Sequence, residues 1–214
     1  MRMRILVVGF SLGCLFLFTV CSVVAGADIA LEKPRTSLGV DIMEALQMRK
    51  STKSYATKEI SIRDLSNLLW AANGVNRNSG KRTAPSSYGR HYTDLYVVSN
   101  QGVYFYDPVK HSLSLVTNEN LKSRIANQKY VEGASHIIVM VSDSTRIHFR
   151  SKNKVAAAWA TAGCIAQNIY LTACAMNLGT CLVVNLKADV IKDKFELKEH
   201  QTPLFIMPLG YPQH

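Results

Sequence analysis

Acid, cysteine and glycine-rich phosphate loops are all scarce in this sequence. Only 15 Asp and Glu stand against 25 Lys and Arg, so the 214 residues carry a formal charge of +10. The cations are scattered in pairs such as Arg49-Lys50 and Lys81-Arg82, with no long basic run, which argues against a nucleic-acid-binding protein. Of five cysteines, Cys14 and Cys21 fall near the N-terminus. The other three, Cys164, Cys174 and Cys181, are an odd set in apolar surroundings and read as small buried hydrophobes. A bridge between Cys164 and Cys174 is opposed by about 15 Å of helix between them. Neither the cysteines nor the six histidines stand at a metal-ligand spacing. Internal repeats and low-complexity tracts are absent, as is any G-x-G-x-x-G. The nearest approach to a phosphate loop runs from Gly74 to Arg82. It has five residues before Gly80-Lys81 where four are required, Arg82 in place of the hydroxyl, and no apolar strand before it.

What is present begins with a leader. Arg2 and Arg4 precede Ile5–Val24, a stretch without a charge, and Ala25-Gly26-Ala27 offers small residues for a cut after Ala27. This is the layout of a secretory signal over residues 1–27; an uncleaved anchor is the alternative, since the stretch is long enough to span a bilayer. In both cases Arg2 and Arg4 hold the N-terminus inside, so the remainder is expected outside the cytoplasmic membrane, periplasmic or tethered to its outer face. Residues 28–40 read as an N-terminal extension and 41–214 as one domain.

Within that domain, apolar spacing predicts helices over Asp41–Met48 and from Ser61 to Ala72, the second ending near Asn73-Gly74. Leu95–Ser99, Val103–Tyr106 and Ser112–Val116 read as a meander of strands. Asn118–Asn127 is expected to be helical. His136–Val141 (HIIVMV) reads as a strand buried on both faces. Val155–Met176 has no charge, yet it is mostly alanine and small residues with Gln167-Asn168 in the middle. That composition suits a central helix packed in a core or along a dimer seam better than a transmembrane span. Cys181–Asn185 and Leu204–Leu209 are expected strands, and the whole is a mixed α+β domain.

Arg49-Lys50-Ser51-Thr52-Lys53-Ser54-Tyr55, directly after the first helix, gathers cations and hydroxyls able to surround a phosphate. On an extended backbone Arg49, Ser51 and Lys53 share one side; a solvated basic turn is the other reading. The segment resembles the FMN-phosphate segment of the nitroreductase family. Three further stretches follow in the family's order: Asn73-Gly74-Val75-Asn76-Arg77 with Arg82-Thr83-Ala84-Pro85-Ser86-Ser87, then Ala162–Asn168 leading to Asn177-Leu178-Gly179-Thr180, then Pro208–Pro212. The arrangement is most similar to the branch of thiazole/oxazole-forming peptide dehydrogenases and their free-standing bacterial relatives, and it spans roughly residues 41–212.

The resemblance implies a nitroreductase-like α+β fold: a central, mostly antiparallel sheet flanked by helices, with the small-residue helix at a homodimer interface. It implies FMN held by Arg49, Lys50, Ser51 and Lys53 at the phosphate and ribityl chain, with Asn127 at the ring's polar edge. Backbone groups of Val183, Val184 and Asn185 would lie near the flavin, and Pro85, Ser86 and Ser87 would come from the partner subunit. No side chain is required as acid or base, because the chemistry takes place at flavin N5. The implied activity passes hydride from a donor such as NAD(P)H, through FMN, to a nitroaromatic or quinone-like acceptor. Three departures stand out. The sequence shows no late basic segment after Gly210-Tyr211-Pro212, Val184-Asn185 adds bulk where many relatives carry glycine, and export is expected. They leave open an exported flavin-binding or interaction module with little turnover.

Overall fold

Stretches rich in β-branched and aromatic residues pair into a single sheet that positions everything else. The computed structural model describes residues 28–148 and 151–213; residues 1–27, expected above to be a leader, lie outside them. In chain order the elements are β1 (Ile29–Ala30), α1 (Ile42–Met48), α2 (Ile62–Asn73), β2 (Thr93–Ser99), β3 (Gly102–Asp107), β4 (Ser112–Thr117), α3 (Lys129–Glu132), β5 (His136–Asp143), α4 (Ser151–Ala175), β6 (Gly179–Thr180), α5 (Ala188–Lys194) and β7 (Gln201–Gly210). The strands form one sheet in the order β1-β4-β3-β2-β5-β7-β6. Every ladder is antiparallel.

Because side chains alternate across a strand, each strand feeds two cores. Leu95, Val97, Ile138, Met140, Met207 and Leu209 pack on one face with Leu65, Leu68 and Leu69 of α2 and Ala162, Ile165 and Ile169 of α4. Tyr96, Val98, Ile137, Val139 and Ile206 pack on the other with Leu121, Ile125, Val131, Ile191 and Phe195. The sheet is thus the middle of three layers, and the unbroken apolar run in β5 follows from burial on both sides.

α2 starts with Ser61, whose Oγ accepts the Asp64 N–H at 3.1 Å and donates to the Asp64 carboxylate at 2.8 Å. α4 buries Ala158, Ala162, Ile165, Ala166, Ile169 and Ala173; small residues let α2 and α1 approach it closely. Its opposite side leaves Val155, Ala156, Trp159, Ala160, Gly163, Cys164 and Gln167 exposed. No described helix is long and apolar enough to cross a membrane.

Three expectations are corrected. Asn118–Asn127 is not helical; the next helix, α3, begins only at Lys129 and is four residues long. The Lys122 N–H donates to Asn120 Oδ1 and the Glu119 N–H to Thr117 Oγ1, so side chains satisfy the backbone in place of a helical ladder. Cys181–Asn185 is not a strand. Ordered pairing covers only β6, and beyond it Val183 makes an isolated antiparallel bridge to Ile206. Finally, of the three cysteines only Cys181 is buried; Cys164 is exposed on α4 and Cys174 is half-buried.

Candidate cofactor site

α1 ends at Met48, and Arg49 leaves it in an extended conformation, φ −57°, ψ 124°. The chain then runs beside β6: Ser51 pairs with Thr180 in a parallel bridge, and the Thr52 N–H donates to the Thr180 carbonyl at 2.9 Å. Gly179 permits this approach, since a Cβ there would lie 2.6 Å from Thr52 Cγ2.

Extended geometry divides the segment by alternation. On one side the Arg49 guanidinium lies 5.3 Å from the Tyr170 ring centroid, Ser51 Oγ is 3.1 Å from Tyr170 Oη, and Lys53 Nζ is 5.7 Å from the Tyr130 ring. On the other, Lys50 and Thr52 join Met48, Cys174, Asn177 and Thr180 around a cleft of 390 Å³, a volume in the range of small-ligand pockets. Tyr170 Oη also accepts the Leu182 N–H at 2.7 Å, so one phenol ties the basic segment to the chain after β6. Tyr55 donates to the Thr52 carbonyl at 2.6 Å. The Thr180 hydroxyl, in the cleft wall, is buried without a partner.

Beneath the basic segment lies the Cys181 thiol. Burial pushes its pKa up, while the hydroxyls of Tyr130 and Tyr55 and the Lys53 charge pull it the other way. Burial, followed by Cys181, pushes Tyr130 up to about 12 and raises Tyr55 as well. At neutral pH these three groups are uncharged, and the charge of the site comes from its cations. None of Arg49, Lys50 and Lys53 forms an ion pair with a described carboxylate.

The Ala126–Leu186 bridge and the Lys187 N–H bond to the Ile125 carbonyl, 2.8 Å, bring exposed Asn127 beside the 183–186 segment. Within that segment the Val183 N–H and carbonyl are both taken by Ile206, at 2.9 and 3.1 Å. Its backbone is therefore not free to meet a ligand. The Val184 carbonyl accepts the Leu186 N–H at 3.0 Å, and Val184 is 57% exposed. Val184 and Asn185 are the exposed positions of this stretch.

Pro85, Ser86 and Ser87 lie apart from these groups. They form a shallow pocket of 190 Å³ with Ala157, Ala160, Thr161 and Cys164 of α4. Ser86 Oγ accepts the His91 N–H at 2.9 Å, and Tyr92 Oη lies 2.8 Å from Thr161 Oγ1. From Thr161 to Tyr170 is about 13 Å along the helix axis. One protomer therefore sets Arg49, Ser51 and Lys53 against Tyr170 and Tyr130, Lys50 on the cleft and Asn127 beside residues 183–186, and holds Pro85–Ser87 elsewhere. Tyr55, Tyr130, Tyr170 and Thr180 escaped sequence reasoning; each looks like a core or strand residue until the chain is folded. Among the described residues no three His, Cys, Asp or Glu side chains converge as a metal site.

Fold and site together define an α+β protein with a cleft at the β6 end of its sheet, lined by Lys50 and Tyr170 and bordered by a basic segment that rests on Tyr170 and Tyr130. The sequence model of the nitroreductase family matches residues 46–211, and the chain belongs to that family, which places it among the oxidoreductases. A crystal structure from Ralstonia eutropha JMP134, described as a nitroreductase, is 35% identical with a TM-score of 0.83, the match covering 87% of this chain and 90% of that one. A protein of Methanocaldococcus jannaschii named as a nitroreductase is 28% identical over 188 residues, 80% of this chain and 91% of its own length. The NADPH:FMN oxidoreductase of Vibrio harveyi, solved with NAD+, shares the fold at 20% identity and a TM-score of 0.62, covering 80% of this chain and 69% of that one.

Proposed function

We propose that the protein is an FMN-dependent oxidoreductase, a homodimer exported to the outer side of the cytoplasmic membrane, that reduces small electrophiles such as nitroaromatics or quinones. The observation that carries the cofactor is the charge of the basic segment: Arg49 and Lys53 flank Ser51 on one side and Lys50 lines the adjoining cleft, with no described carboxylate to neutralise them. A phosphate monoester fits such a set, the guanidinium as a two-pronged donor and the ammonium groups as point charges. Arg49, Ser51, Lys53 and Lys50 would hold the phosphate and ribityl chain. Asn127, the Val184 N–H and Asn185 would meet the ring. Bound there, FMN supplies two-electron redox chemistry, and the chain supplies orientation and electrostatics. The Lys53 charge would favour a reduced, anionic flavin.

The dimer rests on the separation just described. Pro85–Ser87 cannot line the cleft of their own protomer, yet they adjoin the exposed, small-residue side of α4, where a second copy can pack. Export rests on residues 1–27 alone.

Protein purified from its own compartment should be yellow, bleach on photoreduction and recover its colour when an acceptor is added. Arg49→Ala should weaken FMN binding by about 1.5–3 kcal/mol, the worth of a charged hydrogen bond, read by flavin-fluorescence titration. An unchanged affinity would refute the phosphate placement, and colourless protein that takes up no added FMN would refute the cofactor.

A further inference from the structure

The turn that carries Pro85–Ser87 is embedded in an unusual concentration of one charge. From Asn73 to Thr93 the sequence has Arg77, Lys81, Arg82 and Arg90 and no Asp or Glu. The first acid that follows, Asp94, is already gripped by both Nη atoms of Arg146, whose Nε reaches Asp143 at 3.1 Å. None of the four cations pairs with a described carboxylate. Two of them are tied to the turn itself. Gly89 has a φ of 63°, and a Cβ added there would collide with Lys81 Nζ, so the ammonium rests directly against the Ser87–Gly89 turn. Arg82 is half-buried on the strand-like pairing Val75–Arg82 that delivers the turn.

The positive field reaches the serines. His91, whose N–H bonds Ser86, has its pKa driven down to about 4, first by burial and then by Arg82, Lys81, Arg146 and Arg77. Arg82, half-buried and without an ion-pair partner among the described carboxylates, costs solvation, and with exposed Lys81 beside the turn it is suited to a ligand that brings negative charge.

We propose that Lys81 and Arg82 select an anionic acceptor, one bearing a carboxylate or phosphate close to the group that is reduced. This rests on the reading that Pro85–Ser87 line the partner's flavin cleft, because only then do these cations stand at the mouth of the reaction site. The selected substrate would be steered to the cleft and held with its charge against the turn. For a nitro compound, hydride and one proton then yield the nitroso compound and water.

The test isolates reoxidation, so that the donor need not be known. Photoreduced, FMN-loaded protein is mixed anaerobically in a stopped-flow instrument with 4-nitrobenzoate or its neutral counterpart, 4-nitrobenzamide. The second-order rate constant should favour the benzoate by about fivefold or more at low salt and lose that preference as salt screens the charges. Lys81→Gln/Arg82→Gln should bring the ratio close to 1 while leaving the benzamide rate and the FMN content unchanged, and Lys81→Arg should retain it. A wild-type ratio of 1 or less, or one that salt does not alter, overturns the proposal, and that measurement needs no variant to fold. Protein that binds no FMN, or that neither compound reoxidises, overturns the underlying reading and this proposal with it.

Discussion

Tyr170 is where two separate stretches of chain become one site. Its hydroxyl accepts the Leu182 N–H and meets Ser51 Oγ, while its ring lies against Arg49. Tyr170→Phe keeps the ring and removes the acceptor. The Leu182 N–H is then stranded in a half-buried position, at a cost of about 1–3 kcal/mol, to be read from urea denaturation midpoints. FMN retention should fall as well, since Ser51 loses its anchor. Equal stability in the two proteins would show that another group satisfies the amide. Nothing at 170 announces this role in the sequence. A tyrosine inside an uncharged, small-residue run looks like core, and its partners lie far away along the chain at 49, 51 and 182.

At the scale of elements, α4 serves two surfaces. Its inward face of Ala162, Ile165 and Ile169 packs on the sheet, and its outward face presents Ala160, Gly163 and Cys164 to solvent. Ala160→Arg would place a charge on the proposed seam without touching the core. Light scattering on a sizing column should then find monomer where the parent is dimer, with loss of bound FMN. A dimeric, flavin-loaded variant would move the seam to another face. α4 and β5 were legible in the sequence because each carries a long run whose composition admits one solution. The basic segment was legible too, since alternation alone put Arg49, Ser51 and Lys53 on one side, as the contacts with Tyr170 and Tyr130 show. The stretches misread, 118–127 and 181–185, are short and take their shape from other parts of the chain. Ile125 and Ala126 bond to Leu186 and Lys187, and Val183 bonds to Ile206; no local pattern encodes such partners.

For the molecule as a whole, histidines that are buried or half-buried set the response to acid. Burial is the first cause lowering His91, His111 and His136, and His91 falls from 6.5 to about 4. Between those two values the unfolded chain takes up protons that the folded chain refuses, so stability falls as pH drops below 6.5. The melting temperature should be lower at about pH 5 than at about pH 7, and His91→Gln should narrow the difference. An equal difference in parent and variant would mean that His91 is protonated in the native state.

One feature of the sheet bears on the order in which the protein can be completed. β7 is the last of the described strands, yet it sits inside the sheet between β5 and β6. Emerging from a ribosome or a membrane pore, the β2–β3–β4 meander can pair as soon as it appears. β5, however, must wait for residues 201–210 before its second edge is covered. The cleft waits with it, because Val183 is fixed by Ile206 and Tyr55 by Pro212. A chain still being delivered therefore has no finished site to fill, and any ligand of the cleft is captured only after residues 201–212 arrive.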